Sequence, residues 1–186
     1  MEMGDSDLAV VKLNRVVIRP DSGSVVAVAG FEVPADRLFK ALTAADEIGR
    51  WWGGRKPLPS ILWVGVPLRG TSWRAEGSRM AGRAVFTVFG DFLDVDAPRL
   101  IEATWHGSWD ALAMTRISIR VEPVANGSVL TLMHQGFMGR ERACRRQGRL
   151  WYLALRWLEI YFRAEAGRIV PNQGCPVLSV HGISRR

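Results

Sequence analysis

The chain has 186 residues, of which 48% are hydrophobic and 23% are charged, and these values are typical of one globular domain rather than of a disordered chain. Its net charge of +7 would suit a nucleic-acid partner. However, the basic residues are mostly scattered arginines, and no zinc-finger, helix-turn-helix or aromatic RNA-binding motif is present. No apolar run reaches the roughly 20 residues that span a membrane, and the acidic first residues predict no secretory signal. We therefore expect a cytoplasmic domain whose partner is neither a nucleic acid nor a membrane.

The N-terminal part of the chain predicts a β-hairpin followed by two short helices. Runs of β-branched residues indicate the strands, and the segment Pro20-Asp21-Ser22-Gly23 has the composition of a turn between them. Pro34 suits the start of a helix because it has no amide hydrogen to leave unpaired. The predicted elements are strands at 10–18 and 25–33 and helices at 34–43 and 45–50.

Short strands dominate from residue 57 onward. The clearest pattern runs over 114–121, where apolar and polar residues alternate, and this is typical of a sheet with one covered and one solvated face. Asn126-Gly127 predicts a tight turn into the next strand, and Gly90 predicts a bulge in the longest strand. The predicted strands are 61–66, 71–76, 83–95, 100–106, 114–121 and 128–135.

The longest predicted element is a helix over 141–166, which Gly167 would end. Its apolar residues form two neighbouring rows and so make an arc wider than an ordinary amphipathic stripe. We expect a curved sheet to enclose this arc, which gives an α+β fold with the helices packed on one face. The predicted domain spans 10–167, after a leader at 1–9 and before a tail at 168–186. The two rows are Trp151, Leu155, Leu158 and Phe162, and Leu150, Ala154, Trp157 and Tyr161.

Five segments in a fixed order carry a family resemblance. They are FEVPADRLFKALT at 31–43, Trp51-Trp52, DAPRLIEATW at 96–105, LTLMHQGF at 130–137, and the helical spacing of Trp151, Leu155, Leu158 and Tyr161. Over residues 25–165 the chain resembles the START-like or SRPBCC superfamily. More narrowly, it resembles the branch related to the C-terminal domain of the activator of the 90-kDa heat-shock protein ATPase. It departs from the family at Leu150, where a glycine usually stands before the helix tryptophan.

The resemblance implies a helix-grip fold, in which a curved antiparallel sheet wraps around the long C-terminal helix and leaves a cavity between them. It implies no single activity, because members of this superfamily carry lipids, cyclise polyketides or act as co-chaperones. Large aromatic side chains are usually core filler, but in this fold some of them also line the cavity. The candidate ligand-binding residues are Trp73, Phe86, Trp105, Met114, His134, Trp151 and Leu155.

Few residues are candidates for catalysis. Glu102 and His106 share one face of the predicted strand at 100–106, and they could act as an acid–base pair if that face turned inward. The opposite face is more apolar, so we expect it to be the covered one. His134 follows Leu130 and Leu132 at a period of two and could be a hydrogen-bonded structural histidine or a polar anchor for a ligand.

The sequence predicts neither a metal nor a cofactor. His106, His134 and His181 have no other histidine or cysteine at metal-ligand spacing, and no phosphate-binding loop, dinucleotide fingerprint or nucleophile elbow occurs. Cys144 and Cys175 are far apart, which is typical of incidental reduced thiols in a cytoplasmic protein.

Three functions remain open at this point. The first is a binding protein for a small apolar or aromatic ligand. The second is a cyclase- or dehydratase-like enzyme that uses Glu102, His106 or His134. The third is a co-chaperone-like module that binds a protein partner through the arginine run at 140–149. An exposed N-terminal strand could also pair with its copy and form a homodimer.

Overall fold

The computed structural model describes residues 15–53, 62–79, 84–110 and 113–167. The predicted leader and tail, together with Cys175 and His181, lie outside these ranges, as do residues 10–14 of the first predicted strand. The described chain forms eight strands and three helices. The strands are β1 (Arg15–Arg19), β2 (Ser24–Phe31), β3 (Leu62–Val64), β4 (Ser72–Arg79), β5 (Ala84–Asp96), β6 (Leu100–Gly107), β7 (Met114–Val124) and β8 (Gly127–Gln135). The helices are α1 (Ala35–Thr43), α2 (Ala45–Trp51) and α3 (Glu141–Ala166).

The strands form one curved sheet in the order β1-β2-β8-β7-β6-β5-β4-β3. Every neighbouring pair is antiparallel. The N-terminal hairpin therefore joins the meander through β8, where Val25 on β2 and Ile117 on β7 both lie opposite His134. This confirms the α+β helix-grip fold.

Strand alternation decides which face of the sheet is covered. On β7 the buried residues are Thr115, Ile117, Ile119 and Val121, which confirms the predicted alternation. On β6 the odd-numbered residues 101, 103 and 105 are buried. Burial of apolar surface stabilises the folded state by roughly 25 cal/mol per Å². The alternation therefore determines that this face of the sheet is turned toward the core.

Helix α3 begins and ends where the sequence predicts, but its buried stripe is narrower than the predicted arc. Trp151, Leu155 and the rest of the first row are buried, whereas in the second row only Ala154 is buried and Leu150, Trp157 and Tyr161 are partly exposed. The helix packs against β1, β2 and α2. Gly148 lies so close to β1 that a Cβ atom there would stand 2.4 Å from Cγ1 of Ile18.

The bulge in β5 lies elsewhere than predicted. The register of β5 against β6 shifts between Phe92 and Asp94, not at Gly90. Gly90 is needed for a different reason, because a Cβ atom there would stand 1.9 Å from the carbonyl oxygen of Thr104 on β6. The glycine thus permits the two strands to approach closely.

One arginine ties the three helices together. Arg37 on α1 donates to Glu47 on α2 at 2.6 Å and to Glu165 on α3 at 2.8 Å. It also donates to the hydroxyl of Tyr161 at 3.1 Å, and its guanidinium lies 5.1 Å from the ring centre of Phe162. Such charge-assisted hydrogen bonds are about twice as strong as neutral ones, so Arg37 fixes how the helices cover the sheet.

A candidate ligand cavity between the sheet and the C-terminal helix

An apolar cavity of about 80 Å³ lies between the inner face of the sheet and the helices. Half of its sixteen lining residues are aromatic, and six of the chain's eight tryptophans are among them. The partly exposed residues of the lining mark where the cavity approaches the surface, and they are Leu42, Trp52, Trp63 and Phe86. The lining residues are Leu42, Ile48, Trp51, Trp52, Trp63, Trp73, Ala75, Phe86, Val88, Phe92, Ile101, Ala103, Trp105, Ile117, Ile119 and Trp151.

The aromatic rings form a continuous row across the cavity wall. Trp63 stacks on Trp73 with ring centres 5.1 Å apart and an interplanar angle of 14°. Trp73 lies 5.2 Å from Trp105, and Trp105 lies 5.5 Å from Trp151. Trp52 closes the row at 6.3 Å from Trp151 in an edge-to-face arrangement. These separations are favourable for aromatic pairs, so the wall is a packed surface that runs from β3 to α3.

His134 lies behind this wall, on the side away from the cavity, and supports it through hydrogen bonds. The side chain is fully buried, and Trp151 Nε1 donates to its Nδ1 at 3.0 Å. Because an indole nitrogen can only donate, Nδ1 must be the unprotonated nitrogen, and Nε2–H donates to Thr115 Oγ1 at 2.8 Å. The Thr115 hydroxyl in turn donates to the carbonyl oxygen of Trp105 at 2.9 Å. The chain of hydrogen bonds therefore has one direction and uses both imidazole nitrogens.

The surroundings of His134 keep it neutral. Burial, with a smaller contribution from the positive charge of Arg140, lowers the pKa of His134 to about 3. Protonating Nδ1 would also break the hydrogen bond from Trp151. A proton donor or acceptor for catalysis near neutral pH needs a pKa close to that pH, so this geometry suits a structural histidine.

One buried tryptophan nitrogen has no partner among the described residues. Trp51 Nε1 donates to the carbonyl oxygen of Ala41 at 2.8 Å, and Trp151 donates to His134. Trp73 Nε1 makes no hydrogen bond, although Trp73 is only 3% exposed. Leaving a buried donor unpaired costs roughly 1–3 kcal/mol, so this nitrogen is a point at which a bound molecule could add stability.

The predicted ligand-binding residues fall into three groups. Trp73, Phe86, Trp105 and Trp151 line the cavity. His134 and Leu155 are buried in the core behind the lining. Met114 does not face the gap: it is 63% exposed and contributes to a shallow depression on the outer face of the sheet. Its neighbour Thr115 points inward, so strand alternation turns Met114 outward.

Glu102 and His106 lie on the outer face of the sheet, away from the cavity. Because Ile101, Ala103 and Trp105 line the cavity, the even-numbered residues of β6 point the other way. Glu102 accepts a hydrogen bond from the Ser118 hydroxyl at 3.2 Å, and the His106 ring stacks on Phe89 at 4.9 Å. The hypothetical acid–base pair therefore does not reach the cavity.

The predicted ligand-binding residues include Trp151 on α3 but none of the lining residues on α1, α2 and β3. Trp51 and Trp52 at the end of α2, with Leu42 and Ile48, line the cavity together with the sheet residues. The signal was present, because two adjacent tryptophans end a short helix just before two glycines. Trp63 on β3 gave no such signal, since its role depends on its stacking against Trp73.

Four remaining features concern the other residues considered in the sequence analysis. Among the described residues, no group of three or more His, Cys, Asp and Glu side chains is arranged to hold a metal ion, and no helix is long and apolar enough to cross a membrane. Burial raises the pKa of the Cys144 thiol, which lies 3.5 Å from the carbonyl oxygen of Ser24. The arginine run begins α3, and its members at 142, 145, 146 and 149 are exposed.

The fold and the cavity together define a START-like, SRPBCC-type helix-grip protein. Solved structures share this architecture. A protein from Rhodobacter sphaeroides is 18% identical with a TM-score of 0.66, and the match covers 81% of this chain and 99% of that one. A protein from Arthrobacter aurescens is 16% identical with a TM-score of 0.66, covering 91% and 99%. CalU16 from Micromonospora echinospora is 20% identical with a TM-score of 0.59, covering 83% and 87%. At these identities the likeness shows the fold alone.

The family follows from the sequence itself. The profile of the family described as "Activator of Hsp90 ATPase homolog 1-like protein" matches residues 32–163, which is well over half of the chain. The chain therefore belongs to this family, and the resemblance drawn from the sequence is confirmed. No curated protein matches the chain.

Proposed function

We propose that this protein binds a small, largely apolar ligand in the cavity between the sheet and α3. The observation that carries the proposal is the lining, which consists of aliphatic and aromatic side chains and contains six tryptophans. Ligand sites in proteins are concave and mostly hydrophobic with few polar groups. The family membership is compatible with this reading, and a cytoplasmic location remains part of the proposal.

The volume limits the ligand. At about 80 Å³ the cavity is roughly half the size of an engineered 150 Å³ cavity that binds benzene, and it is smaller than the roughly 300–1,000 Å³ of ordinary ligand pockets. A molecule of one ring therefore needs some movement of the wall. Trp52 and Trp63 are only partly buried, so they are the wall residues that can move at least cost in buried area.

The enzyme alternative receives no support from the cavity. None of the described lining residues is ionisable, whereas general acid–base catalysis needs a titratable group within hydrogen-bond reach of the substrate. Glu102 and His106 lie on the outer face, and both nitrogens of His134 are already bonded. We therefore favour binding over a cyclase- or dehydratase-like activity.

The experiment is a screen of small apolar and aromatic compounds by thermal shift and native mass spectrometry. Ala103→Met would fill the cavity from β6, so we expect it to abolish binding of any hit. Met114→Ala changes an exposed side chain on the outer face and should leave binding unchanged. The proposal fails if no compound binds, or if Ala103→Met binds every hit as well as the wild type does.

A second function is favoured by the arginine run. Arg142 and Arg149 are exposed and make no ion pair with any residue that the structure describes. Arg142 lies in the first turn of α3, where a positive charge opposes the helix dipole, so its local effect is unfavourable. Exposed Tyr152 and Leu153 follow on the same helix. We propose as the alternative that this surface binds an acidic protein, such as the chaperone that the family's description names.

Salt dependence and charge reversal test this alternative. Binding to purified Hsp90 should weaken between 50 and 200 mM salt, because exposed charges are screened beyond about 10 Å at 0.1 M. Arg142→Glu with Arg149→Glu should abolish it in a calorimetric titration. Arg120→Glu reverses an exposed charge on β7 and should not. Equal binding by both variants would dismiss the idea.

A further inference from the structure

The cavity offers hydrogen-bond donors but no side-chain acceptors. Its sixteen described lining residues are aliphatic residues, phenylalanines and tryptophans, and the indole N–H is a donor only. None of these side chains carries a charge. A bound molecule would therefore find no side-chain partner for a hydroxyl or amide hydrogen, and no counter-ion for a carboxylate or an ammonium group.

Among the indole nitrogens of the described lining, that of Trp73 is the one that is buried without a hydrogen-bond partner. Trp73 Nε1 is buried and makes no hydrogen bond to any described residue. The equivalent nitrogens of Trp51 and Trp151 donate at 2.8 and 3.0 Å. Buried polar groups are almost always paired, so an unpaired donor in the wall of a cavity indicates a partner supplied from the cavity.

The neighbour best placed to give access to this nitrogen is Trp63. Trp63 stacks on Trp73 and is only partly buried. It belongs to β3, which has three residues and lies at the edge of the sheet. Trp105, on the other side of Trp73, is 6% exposed and belongs to a central strand. A shift of Trp63 would enlarge the cavity, which a one-ring ligand needs in any case.

We propose that the ligand is a neutral, largely apolar molecule that carries a hydrogen-bond acceptor, such as a ketone or ester oxygen, and that this acceptor binds Nε1–H of Trp73. The inference rests on the proposed ligand-binding function and specifies the chemical class of the ligand. Trp73 is then the residue that determines specificity, while the other lining residues supply apolar contact.

Four one-ring probes distinguish acceptors from other groups. Acetophenone and α-methylstyrene have nearly the same shape and differ by a carbonyl oxygen in place of a methylene. Acetophenone should bind about three- to tenfold more tightly in a calorimetric titration, which is the usual net value of one hydrogen bond. 1-Phenylethanol should bind more weakly than the ketone because its hydroxyl hydrogen stays unpaired. Benzoate should not bind measurably.

Two matched variants assign the preference to one nitrogen. Trp73→Phe and Trp51→Phe remove the same atoms from the same cavity, so both change its volume alike. Trp73→Phe should abolish the preference for acetophenone over α-methylstyrene. Trp51→Phe should keep that preference, because the nitrogen it removes is already bonded to Ala41. It should also lower the melting temperature more than Trp73→Phe does, since it leaves the Ala41 carbonyl unpaired.

Nuclear magnetic resonance of the indole groups gives a direct readout. The Trp73 N–H signal, assigned by its absence in Trp73→Phe, should move downfield when acetophenone is added to the full chain and should not do so with α-methylstyrene. If both probes bind equally and this signal does not move downfield, the inference is wrong while the proposed binding function stands. If neither probe binds and the wider compound screen is also empty, the proposed function fails as well.

Discussion

His134 shows how one buried side chain can orient a whole wall of the cavity. It joins Trp151 on α3 to Thr115 on β7, and through the Thr115 hydroxyl to Trp105 on β6. Only the neutral ring with its proton on Nε2 satisfies all three bonds. The residue is therefore sensitive to acid, although it lies in the core.

The acid sensitivity can be measured. Between pH 6.5 and about 3 the unfolded chain holds a proton on His134 that the folded protein lacks, so lowering the pH favours unfolding. The free energy of unfolding should fall by up to about 1.4 kcal/mol per pH unit on account of this group. We expect His134→Gln, which can accept from Trp151 and donate to Thr115, to lose less stability over that range.

Urea unfolding at pH 7, 6, 5 and 4 provides the measurement. The carboxylates titrate in both proteins, so the difference between wild type and variant isolates His134. His106→Gln controls for the loss of a histidine as such, because it removes one from the outer face. Parallel slopes for wild type and His134→Gln would contradict the role given to His134.

At the scale of elements, the position of α3 depends on a glycine that the sequence analysis did not single out. Gly148 lies in the interior of the helix, where glycine costs about 1 kcal/mol relative to alanine. The reason for it is Ile18, whose Cγ1 and Cδ1 atoms occupy the space of a side chain at this position. The helix thus meets β1 more closely than any other residue type would allow.

A double-mutant cycle tests this contact. Gly148→Ala should lower the free energy of unfolding by about 1–2 kcal/mol, because overpacking outweighs the gain in helix propensity. With Ile18→Ala in the background the clash disappears. The same substitution should then stabilise the protein by up to about 1 kcal/mol. Chemical denaturation of the four proteins measures both values, and an equal effect in the two backgrounds would refute the contact.

Arg37 makes a second element-scale prediction. A lysine at this position has no planar fork with which to serve Glu47, Tyr161 and Glu165 together, so Arg37→Lys should lower the free energy of unfolding by about 1–3 kcal/mol. Arg163→Lys, which alters an exposed pair with Glu159 on α3, should change it by less than about 0.5 kcal/mol. Equal losses of unfolding free energy in denaturant titrations would show that the hydrogen bonds of Arg37 between the helices contribute no more than an exposed ion pair does.

The elements that could be predicted are those with a local repeat. The alternation on β7 and the helical repeat of α3 extend over ten to thirty residues of local sequence. The alternation and the bounds of the helix are confirmed, whereas the buried stripe of α3 is narrower than predicted. Arg37 and Glu165 pair across most of the chain, and nothing in the neighbouring sequence indicates that bond. Met114 is predicted to line the cavity because it lies on a strand that faces the gap, but its position in the strand alternation turns it outward. The cavity volume depends on how aromatic rings from six elements pack against one another, and no local sequence pattern encodes this packing.

At the scale of the whole molecule, the charge of the edge strand bears on self-association. The predicted homodimer through β1 would pair the strand with its copy. In an antiparallel register centred on Val17, Arg15 of each copy would lie opposite Arg19 of the other copy. The pairing would therefore contain two pairs of like charges. Like charges directly opposite each other destabilise strand pairs, and charged residues on an edge strand oppose edge-to-edge pairing.

Charge reversal tests whether β1 can pair. Arg19→Glu would place opposite charges together in the same register, so we expect it to raise the dimer fraction in light scattering. Arg15→Glu with Arg19→Glu restores like charges and should return the protein to its original state. If neither change affects the mass at any salt concentration, self-association does not use β1.

Because most of the tryptophans lie around one small cavity, the intrinsic fluorescence of the protein reports on that cavity. Six of the eight indole chromophores touch the cavity, and neighbouring ring centres lie within energy-transfer range of one another. Any occupant that excludes water or quenches one ring will therefore alter the emission of the whole group. Entry and exit of a ligand could be followed in the unlabelled protein, in real time, from its ultraviolet fluorescence.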